Sequence, residues 1–468
     1  MTSNKILGYA IGPMGAAVIG FITLPIITWF YSVEDIGRIS MLQVVVSFSI
    51  LIFCLGLDQA YVREYHGHEC QPKLFKAALL PGLTLSIIFF GAIFVFDSRL
   101  ISKWLYDIPS TYLTFISITC FILALISRFL SLILRMEERA LAYSMSQLLP
   151  KVLFLIFIVT TVWLGFKKDA YNLITAHTLS ITAVFLVFAW NTRKEWMKAL
   201  EYKIDLKELN HLLSFGLPLV IGGLASWGLD VMDKLFLRTM STFSELGIYS
   251  VAVSIAGVAS IFAGIFNTIW APMVYKWVND GVDLTKIDEV SEHLLAVIYF
   301  VVVLSGLFSW ILPYFLPKEY AAIQFLVSAC LLGPLFYTLS ETTAVGIAIA
   351  RKTKLAMLAS IGAMIANALG NYLLVPKLGA IGAAISTAFS FWIFYIIRTE
   401  LSRMVWRNMP SVKTYTFITL LLIVTIIDAV LLKNNYLAII IWFTLGILGT
   451  FVFQTSLSLL RSKIRTIC

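Results

Sequence analysis

The residues best able to do chemistry in this chain are ionisable side chains that lie within long apolar stretches. Arg128 and Lys151 lie inside two such stretches of the N-terminal half, and Arg63 follows another. A charge at the centre of a hydrocarbon layer costs about 2.5–3.5 kcal/mol or more, so it tends to face a cavity or a partner. Arg128 and Lys151 at comparable depth, with Arg63 at the inner end of the second stretch, would form an anion site open to the cytoplasm. Snorkelling of the two long side chains to inner headgroups is the structural alternative.

The C-terminal half carries a second set of charges in apolar sequence. Asp230 and Lys234 are four residues apart, so they can pair on one helix face, with Asp233 on a neighbouring face. Glu341 has no cation within four residues on either side. It must find a partner on another helix, carry a proton or face water. We expect Glu341 to bind the coupling ion, H⁺ or Na⁺, and we expect no cofactor.

Two further features have mainly structural interpretations. Asp58 closes the second apolar stretch and can cap a helix or pair with Arg63. The stretch His66-Gly67-His68-Glu69-Cys70 contains metal-ligating residue types, but no second ligand cluster follows at a spacing that zinc sites use. We therefore predict no metal site. The chain has 5 cysteines without a CxxC pair, which does not indicate a disulfide framework.

Composition identifies the elements that must position these residues. The chain is 60% hydrophobic and 13% charged, with a mean hydropathy of +0.90, whereas charged residues make up about a quarter of a soluble domain. The formal charge of +9 is spread over short loops and not gathered in one patch, so it does not indicate nucleic-acid binding. The sequence predicts an all-α polytopic membrane protein.

Hydropathy places the membrane spans. A hydrocarbon core about 30 Å thick needs roughly 20 apolar residues as helix, and about fourteen segments satisfy that requirement. We predict spans at 7–31, 39–57, 77–96, 112–134, 144–166, 172–190, 211–238, 248–270, 294–316, 322–349, 356–375, 380–397, 414–432 and 436–459.

The basic residues then set the topology. Most of the 35 Lys and Arg residues fall in segments that are cytoplasmic if the N-terminus is cytoplasmic. Because cytoplasmic loops retain positive charge, we expect both termini inside. The longest loops, 191–210 and 271–293, are also on that side. The N-terminal run lacks a cleavage site and is expected to be a retained span.

An internal repeat organises the spans. Asp35-Ile36-Gly37 matches Glu245-Leu246-Gly247, and the same offset brings Ser40 onto Ser250. An even number of spans per unit gives a parallel repeat about an axis along the membrane normal. We predict two six-helix lobes, 1–205 and 206–405, followed by two appended helices and a basic cytoplasmic tail, 406–468. Substrate is expected to bind between the lobes.

Several classes are disfavoured by what the loops lack. There is no phosphate-binding loop of the G-x-x-x-x-G-K-[ST] type and no Gly-rich dinucleotide turn. No inner loop has the acidic metal cluster expected of a polyprenyl-sugar transferase, and no outer loop is large enough for a polymerase. We do not expect an enzyme.

Two motifs resemble a known family. They are Gly56-Leu57-Asp58-Gln59-Ala60-Tyr61-Val62-Arg63-Glu64-Tyr65-His66, and Asp233-Lys234 followed by Ser244-Glu245-Leu246-Gly247-Ile248-Tyr249-Ser250. Both resemble the O-antigen flippase group of polysaccharide transporters, in the multidrug/oligosaccharidyl-lipid/polysaccharide exporter superfamily. Lys234 stands where such proteins often have Arg, which keeps the charge but loses the planar fork.

The resemblance implies a flippase for an undecaprenyl-diphosphate-linked oligosaccharide of O-antigen or a related surface polysaccharide, which is a step of lipopolysaccharide biosynthesis. Transport would run by alternating access from the cytoplasmic to the periplasmic leaflet of the bacterial inner membrane. Membrane lipid and the pathway's polymerase and chain-length proteins are the expected partners, with no nucleic acid.

Two alternatives of the same fold stay open. One is a cation-coupled multidrug exporter, which would favour an acidic pocket. The other is a peptidoglycan lipid-precursor flippase, although the first span here has no charge between Lys5 and Glu34.

Overall fold

The computed structural model describes residues 3–431 and 435–459 and is helical without strands throughout that part of the chain. The α-helices of the first half are α1 (Ser3–Phe30), α2 (Val33–Phe53), α3 (Leu57–Glu64), α4 (Gln71–Phe96), α5 (Leu100–Tyr106), α6 (Thr111–Met136), α7 (Ala140–Trp163), α8 (Ala170–Asn191), α9 (Arg193–Glu201) and α10 (Leu206–Met240). Those of the second half are α11 (Phe243–Asn279), α12 (Thr285–Phe308), α13 (Leu312–Phe315), α14 (Val327–Ile349), α15 (Thr353–Leu378), α16 (Ala380–Val405), α17 (Val412–Val430) and α18 (Asn435–Val452). Short 3₁₀ segments lie at Ser309–Ile311 and Lys318–Phe325.

The helices confirm the predicted fold class. Among the described residues, 12 helices are long and apolar enough to cross a membrane, and a bent pair, Lys318–Phe325 with Val327–Ile349, makes up to 13. The shorter apolar helix Tyr436–Val452 lies in the last predicted span. Each predicted span therefore overlaps one or more helices, although the predicted span 39–57 runs past the end of α2 at Phe53. The 460–468 part of the predicted tail lies outside the described residues.

The repeated sequence motif corresponds to a repeated helix cap. Ser32 caps α2 by accepting the Asp35 backbone N–H at 3.1 Å, and Thr242 caps α11 by accepting the Glu245 N–H at 3.2 Å. A Ser or Thr oxygen at this position satisfies an N–H that the first helical turn leaves unpaired. The acidic residue in each first turn also complements the positive end of the helix dipole.

Glycines end two helices at matching places. Gly165 follows α7 with φ of 72°, and Gly379 follows α15 with φ of 54°. Left-handed backbone is easy for glycine because it has no Cβ. A compact turn can therefore lead directly into the next helix.

The chain forms two compact units, Met1–Val231 and Met232–Cys468. The boundary between these units lies inside α10. In the first unit α1 packs along α7 and α6 packs along α8, and in the second unit α16 packs against both α14 and α15. Small residues allow the close approach of α15 to α16, because a Cβ on Gly370 would lie 2.9 Å from the Ser386 hydroxyl.

Candidate functional site

The predicted cation Arg128 is paired. Its Nη2 donates to Asp58 Oδ2 at 2.9 Å, with the two side chains 34% and 13% exposed. Gly56, with φ of 70°, precedes α3 and turns the chain so that Asp58 lies in the first turn of that helix. Asp58 is thus bonded to Arg128 of α6, and Arg63 makes different contacts.

Lys151 on α7 is an exposed cation within a candidate membrane span. No carboxylate lies within 4.0 Å of its ammonium group in the part of the chain that the structure describes. Its Nζ lies beside α1, where a Cβ added to Gly20 would be only 3.3 Å away. The absence of a side chain at Gly20 therefore leaves room for the ammonium group between α1 and α7.

Arg63 lies at the end of α3 with 55% of its side chain exposed. Its guanidinium lies 4.3 Å from the Phe215 ring centroid, and its Nε is 3.3 Å from Glu64 Oε1. Arg63, Arg128 and Lys151 therefore contact different partners on different helices. Their predicted joint role in anion binding stays a prediction.

The second unit contains a buried carboxylate at Asp233 of α10, which is 2% exposed. Asn367 and Asn371 of α15 donate their Nδ2 groups to Oδ1 at 3.0 and 2.7 Å. Oδ2 accepts the hydroxyls of Tyr249 on α11 and Thr387 on α16. These five residues, which we name the Asp233 cluster, bring four helices onto one carboxylate.

The Asp233 cluster has the composition of a site for a proton or a small hard cation. Asn371 Oδ1 is buried and receives no hydrogen bond, while Asn367 Oδ1 accepts from Asn371. Amide orientation is assigned from the hydrogen-bond network, and rotating an amide presents its oxygen in place of its nitrogen. Carboxylate, amide and hydroxyl oxygens are the ligands that hard cations prefer.

Sequence reasoning found Asp233 but missed the asparagines. The available signal was a pair of amides four residues apart, on one face of the otherwise apolar span 356–375. Lys234 is half-buried and Asp230 is exposed. The predicted pairing of Asp230 with Lys234 stays a prediction.

Glu341 has a cationic partner on another helix, the first of the three possibilities expected for it. Arg398 Nη1 donates to Glu341 Oε1 at 2.7 Å and to Ser340 Oγ at 2.8 Å. The guanidinium lies 4.9 Å from the Phe394 ring centroid and 5.8 Å from that of Tyr337. The sequence placed Arg398 in a loop beyond span 380–397, but α16 continues to Val405, so Arg398 lies within the helix.

The His66–Cys70 stretch takes part in an ion-pair cluster at the start of α10. His68 Nε2 lies 2.8 Å from Glu208 Oε1, and Lys73 Nζ lies 2.9 Å from Glu208 Oε2. His68 Nδ1 accepts the backbone N–H of Cys70 at 3.0 Å. Among the described residues, no three His, Cys, Asp or Glu side chains are placed to hold a metal ion.

Comparison with known proteins identifies a matching family. Residues 4–277 match the family described as "Polysaccharide biosynthesis protein". "Lsg locus putative protein 1" of Haemophilus influenzae is 22% identical over 338 residues, which cover 70% of this chain and 80% of that protein. An uncharacterised membrane protein of Methanocaldococcus jannaschii is 23% identical over 460 residues, which cover 89% and 88%.

Two solved structures share the fold. "Lipid II flippase MurJ, inward closed conformation" superposes with a TM-score of 0.68 at 16% identity, covering 97% of this chain and 99% of that one. An inward-facing multidrug resistance MATE family transporter of the MOP superfamily gives a TM-score of 0.57 at 16% identity, covering 83% and 94%. Identities this low show a common architecture.

Proposed function

The chain belongs to the polysaccharide biosynthesis protein family, and we propose that it is a flippase for an undecaprenyl-diphosphate-linked oligosaccharide of O-antigen or a related surface polysaccharide. It moves this substrate from the cytoplasmic to the periplasmic leaflet of the bacterial inner membrane by alternating access. It makes and breaks no covalent bond. A polymerase and its chain-length partner take up the product on the far side.

The observation that carries this proposal is the unpaired Lys151. A cation within a span is costly, and it persists where it faces water, headgroups or an anionic ligand. Lys151 has no carboxylate partner among the described residues, and Gly20 keeps a space open at its ammonium group. A diphosphate group supplies the missing negative charge.

Arg128 contributes by exchanging partners. In the absence of substrate its charge is balanced by Asp58 at 2.9 Å. A diphosphate that reaches Lys151 competes with Asp58 for the planar guanidinium, which suits bidentate contact with phosphate oxygens. Arg63, exposed at the end of α3, assists at the cytoplasmic mouth.

The coupling of transport to ion binding takes place in the second unit. The Asp233 cluster binds H⁺ or Na⁺, and because it joins α10, α11, α15 and α16, occupancy biases how these helices pack. Glu341 is already neutralised by Arg398 and serves as a secondary charge site. Asp230 and Lys234 adjoin Asp233 on α10 and tune its surroundings.

The test is transport by the double variant Arg128→Gln with Lys151→Gln. Each charged hydrogen bond is worth about 1.5–3 kcal/mol, so we expect a loss of roughly tenfold or more for each. The assay follows complementation of flippase-deficient strains and movement of a labelled polyprenyl-diphosphate oligosaccharide in proteoliposomes. Lys103 is an exposed lysine of α5, and Lys103→Gln controls for each single variant, Arg128→Gln or Lys151→Gln, because it also removes one positive charge. Normal transport by the double variant at equal membrane abundance would contradict the proposal.

A second variant tests whether transport needs the room that Gly20 leaves for the Lys151 ammonium group. Gly20→Ala puts a Cβ 3.3 Å from Lys151 Nζ, so the ammonium group must shift by a few tenths of an ångström. We expect weaker substrate binding with unchanged abundance. Gly91→Ala in α4 meets nothing within 4 Å and controls for the helix propensity of alanine.

The buried carboxylate of Asp233 favours a second candidate, a cation-coupled multidrug exporter. Efflux of cationic dyes that depends on Asp233 but not on Arg128 or Lys151 would support the exporter. A peptidoglycan lipid-precursor flippase is the remaining alternative of this fold, and rescue of cells depleted of that activity would distinguish it.

A further inference from the structure

A partly enclosed apolar cavity of about 260 Å³ lies among α4, α6, α8 and α9 of the first unit. The walls come from Leu79, Leu83, Ile126, Phe185 and Ala189, together with the underside of α9. Lys76 is the one ionisable residue among those that line it. The cavity therefore accepts an apolar ligand and has one cation at its edge.

The position of Lys76 is fixed by the backbone. Its ammonium group donates to the carbonyl oxygens of Leu200 and Tyr202 at 3.0 and 2.6 Å. An ammonium group has three N–H donors. One donor therefore remains for a ligand group at the mouth of the cavity.

Helix α9, beside the cavity, is amphipathic and has exposed basic residues. Its three basic residues outnumber its two acidic ones, Glu195 and Glu201. Arg193, Lys194 and Lys198 are exposed, whereas Ala199 is buried against the cavity. Trp196 is fixed by donating its Nε1–H to the Ala189 carbonyl at 2.8 Å. An amphipathic helix with basic residues on its polar face lies at the level of the headgroups and attracts anionic lipid.

We propose that this cavity is a binding site for an anionic phospholipid of the leaflet whose headgroups surround α9. One acyl chain occupies the apolar cavity, and the headgroup phosphate accepts the third N–H of Lys76. The basic residues of α9 add long-range attraction. The site requires only that the chain is embedded in a bilayer, so it stands or falls independently of the proposed substrate.

The first test compares thermal stability in nanodiscs of phosphatidylcholine alone and with part of it replaced by phosphatidylglycerol. Because a ligand that binds the folded state raises its stability, the anionic lipid should raise the unfolding temperature. Lys76→Gln should abolish that rise, since glutamine can still donate two hydrogen bonds to Leu200 and Tyr202 but lacks the charge and the third donor. Lys103→Gln, the charge-matched control on α5, should retain it. An equal rise in both variants overturns the proposal.

The second test fills the cavity. Ala189→Leu projects new methyl groups into the cavity and should also abolish the rise, whereas Ala92→Leu, on an open apolar surface of α4, should not. Mass spectrometry of the purified protein should show one phosphatidylglycerol retained by the native chain and lost in Lys76→Gln. A rise with undecaprenyl phosphate but none with phosphatidylglycerol would assign the cavity to the carrier lipid and overturn the phospholipid. If Ala189→Leu fails to fold, Lys76→Gln decides.

Discussion

Two buried or half-buried carboxylates of the second unit are stabilised by different kinds of partner. Asp233 accepts hydrogen bonds from two amides and two hydroxyls, all of which are neutral, and it also interacts electrostatically with the neighbouring Lys234. Glu341 lies 2.7 Å from the guanidinium of Arg398. The Asp233 carboxylate therefore takes its hydrogen bonds from neutral groups, whereas Glu341 takes one from a cation.

We predict that Asp233→Asn abolishes ion-dependent transport. The new amide has one oxygen for four donors and brings an NH₂ group toward them, and each unsatisfied buried donor costs about 1–3 kcal/mol. The purified protein should also lose any rise in unfolding temperature caused by Na⁺ or by a lower pH. Transport assays with and without an ion gradient measure the first effect, and thermal unfolding measures the second.

Asp428 supplies the control for that variant. It is another buried carboxylate, 3% exposed in α17, and accepts one hydrogen bond from Trp442 at 3.0 Å. Asp428→Asn should lower stability without removing the stabilisation by Na⁺. If Asp428→Asn lost the rise in unfolding temperature caused by Na⁺ and Asp233→Asn kept it, the coupling ion would bind in α17.

The Glu341–Arg398 pair makes a second prediction. Arg398→Gln leaves Glu341 without its cation, and breaking a buried pair costs roughly 3–5 kcal/mol, with the lower end expected here because both groups are partly exposed. The double variant Glu341→Gln with Arg398→Gln should recover most of that stability, since two neutral amides can bond to each other. Protein abundance and unfolding temperature measure this recovery.

Transport by the double variant then separates two roles for Glu341. If the pair is structural, transport recovers together with stability. If Glu341 binds the coupling ion, as the sequence led us to expect, the stable double variant remains inactive.

At the scale of helices, the contact of α10 with α2 and with the turn that follows α2 depends on glycine. A Cβ on Gly216 would lie 2.7 Å from the Leu55 carbonyl oxygen, and one on Gly223 would lie 2.7 Å from a methyl group of Leu51. Farther along, Trp227 Nε1 donates to Ser47 Oγ at 2.9 Å. The backbone of α10 at Gly216 therefore packs directly against the turn between α2 and α3, where a side chain would meet backbone atoms.

We predict that Gly216→Ala destabilises the first unit. The added methyl group meets backbone, which cannot move aside as a side chain can, and overpacking typically costs about 1–3 kcal/mol. Gly222→Ala on the same helix meets nothing within 4 Å and should be neutral or slightly stabilising. Unfolding temperature and yield in the membrane measure the difference, and equal behaviour of the two variants would contradict the close approach.

Sequence reasoning could predict the helices, because hydropathy is local, whereas the two six-helix lobes stay a prediction. Ser32 and Asp35 lie three residues apart, as do Thr242 and Glu245, so the repeated cap is visible in the printed sequence. The contact of Gly216 with Leu55 is not visible, since it depends on which helix faces which.

At the scale of the whole molecule, the same distinction explains what was missed in the candidate site. Individual charges such as Arg128 and Glu341 were found because polar residues are conspicuous in apolar spans. Their partners, Asp58 and Arg398, lie far away in sequence, and pairing depends on the rotation of each helix about its own axis. Sequence thus predicts that a charge needs a partner but not which residue provides it.

Orientation in the membrane is the prediction that concerns the whole chain. Because segments rich in lysine and arginine tend to be retained in the cytoplasm, we expect the loop between α9 and α10 inside and the loop between α7 and α8 outside. Cysteine labelling tests this orientation. The test starts from a variant in which Cys70 and Cys468 are replaced by serine, because the remaining cysteines, Cys54, Cys120 and Cys330, are buried.

In that background, Lys168→Cys should react with a membrane-impermeant maleimide in intact cells, and Lys203→Cys should react only after the membrane is opened. Both lysines are exposed, so burial cannot account for a difference in labelling between them. The reverse labelling pattern would show that the chain has the opposite orientation in the membrane. Lys76, which contacts the carbonyl oxygen of Tyr202 next to Lys203, would then face the outer leaflet, and the phospholipid cavity would draw its lipid from that leaflet.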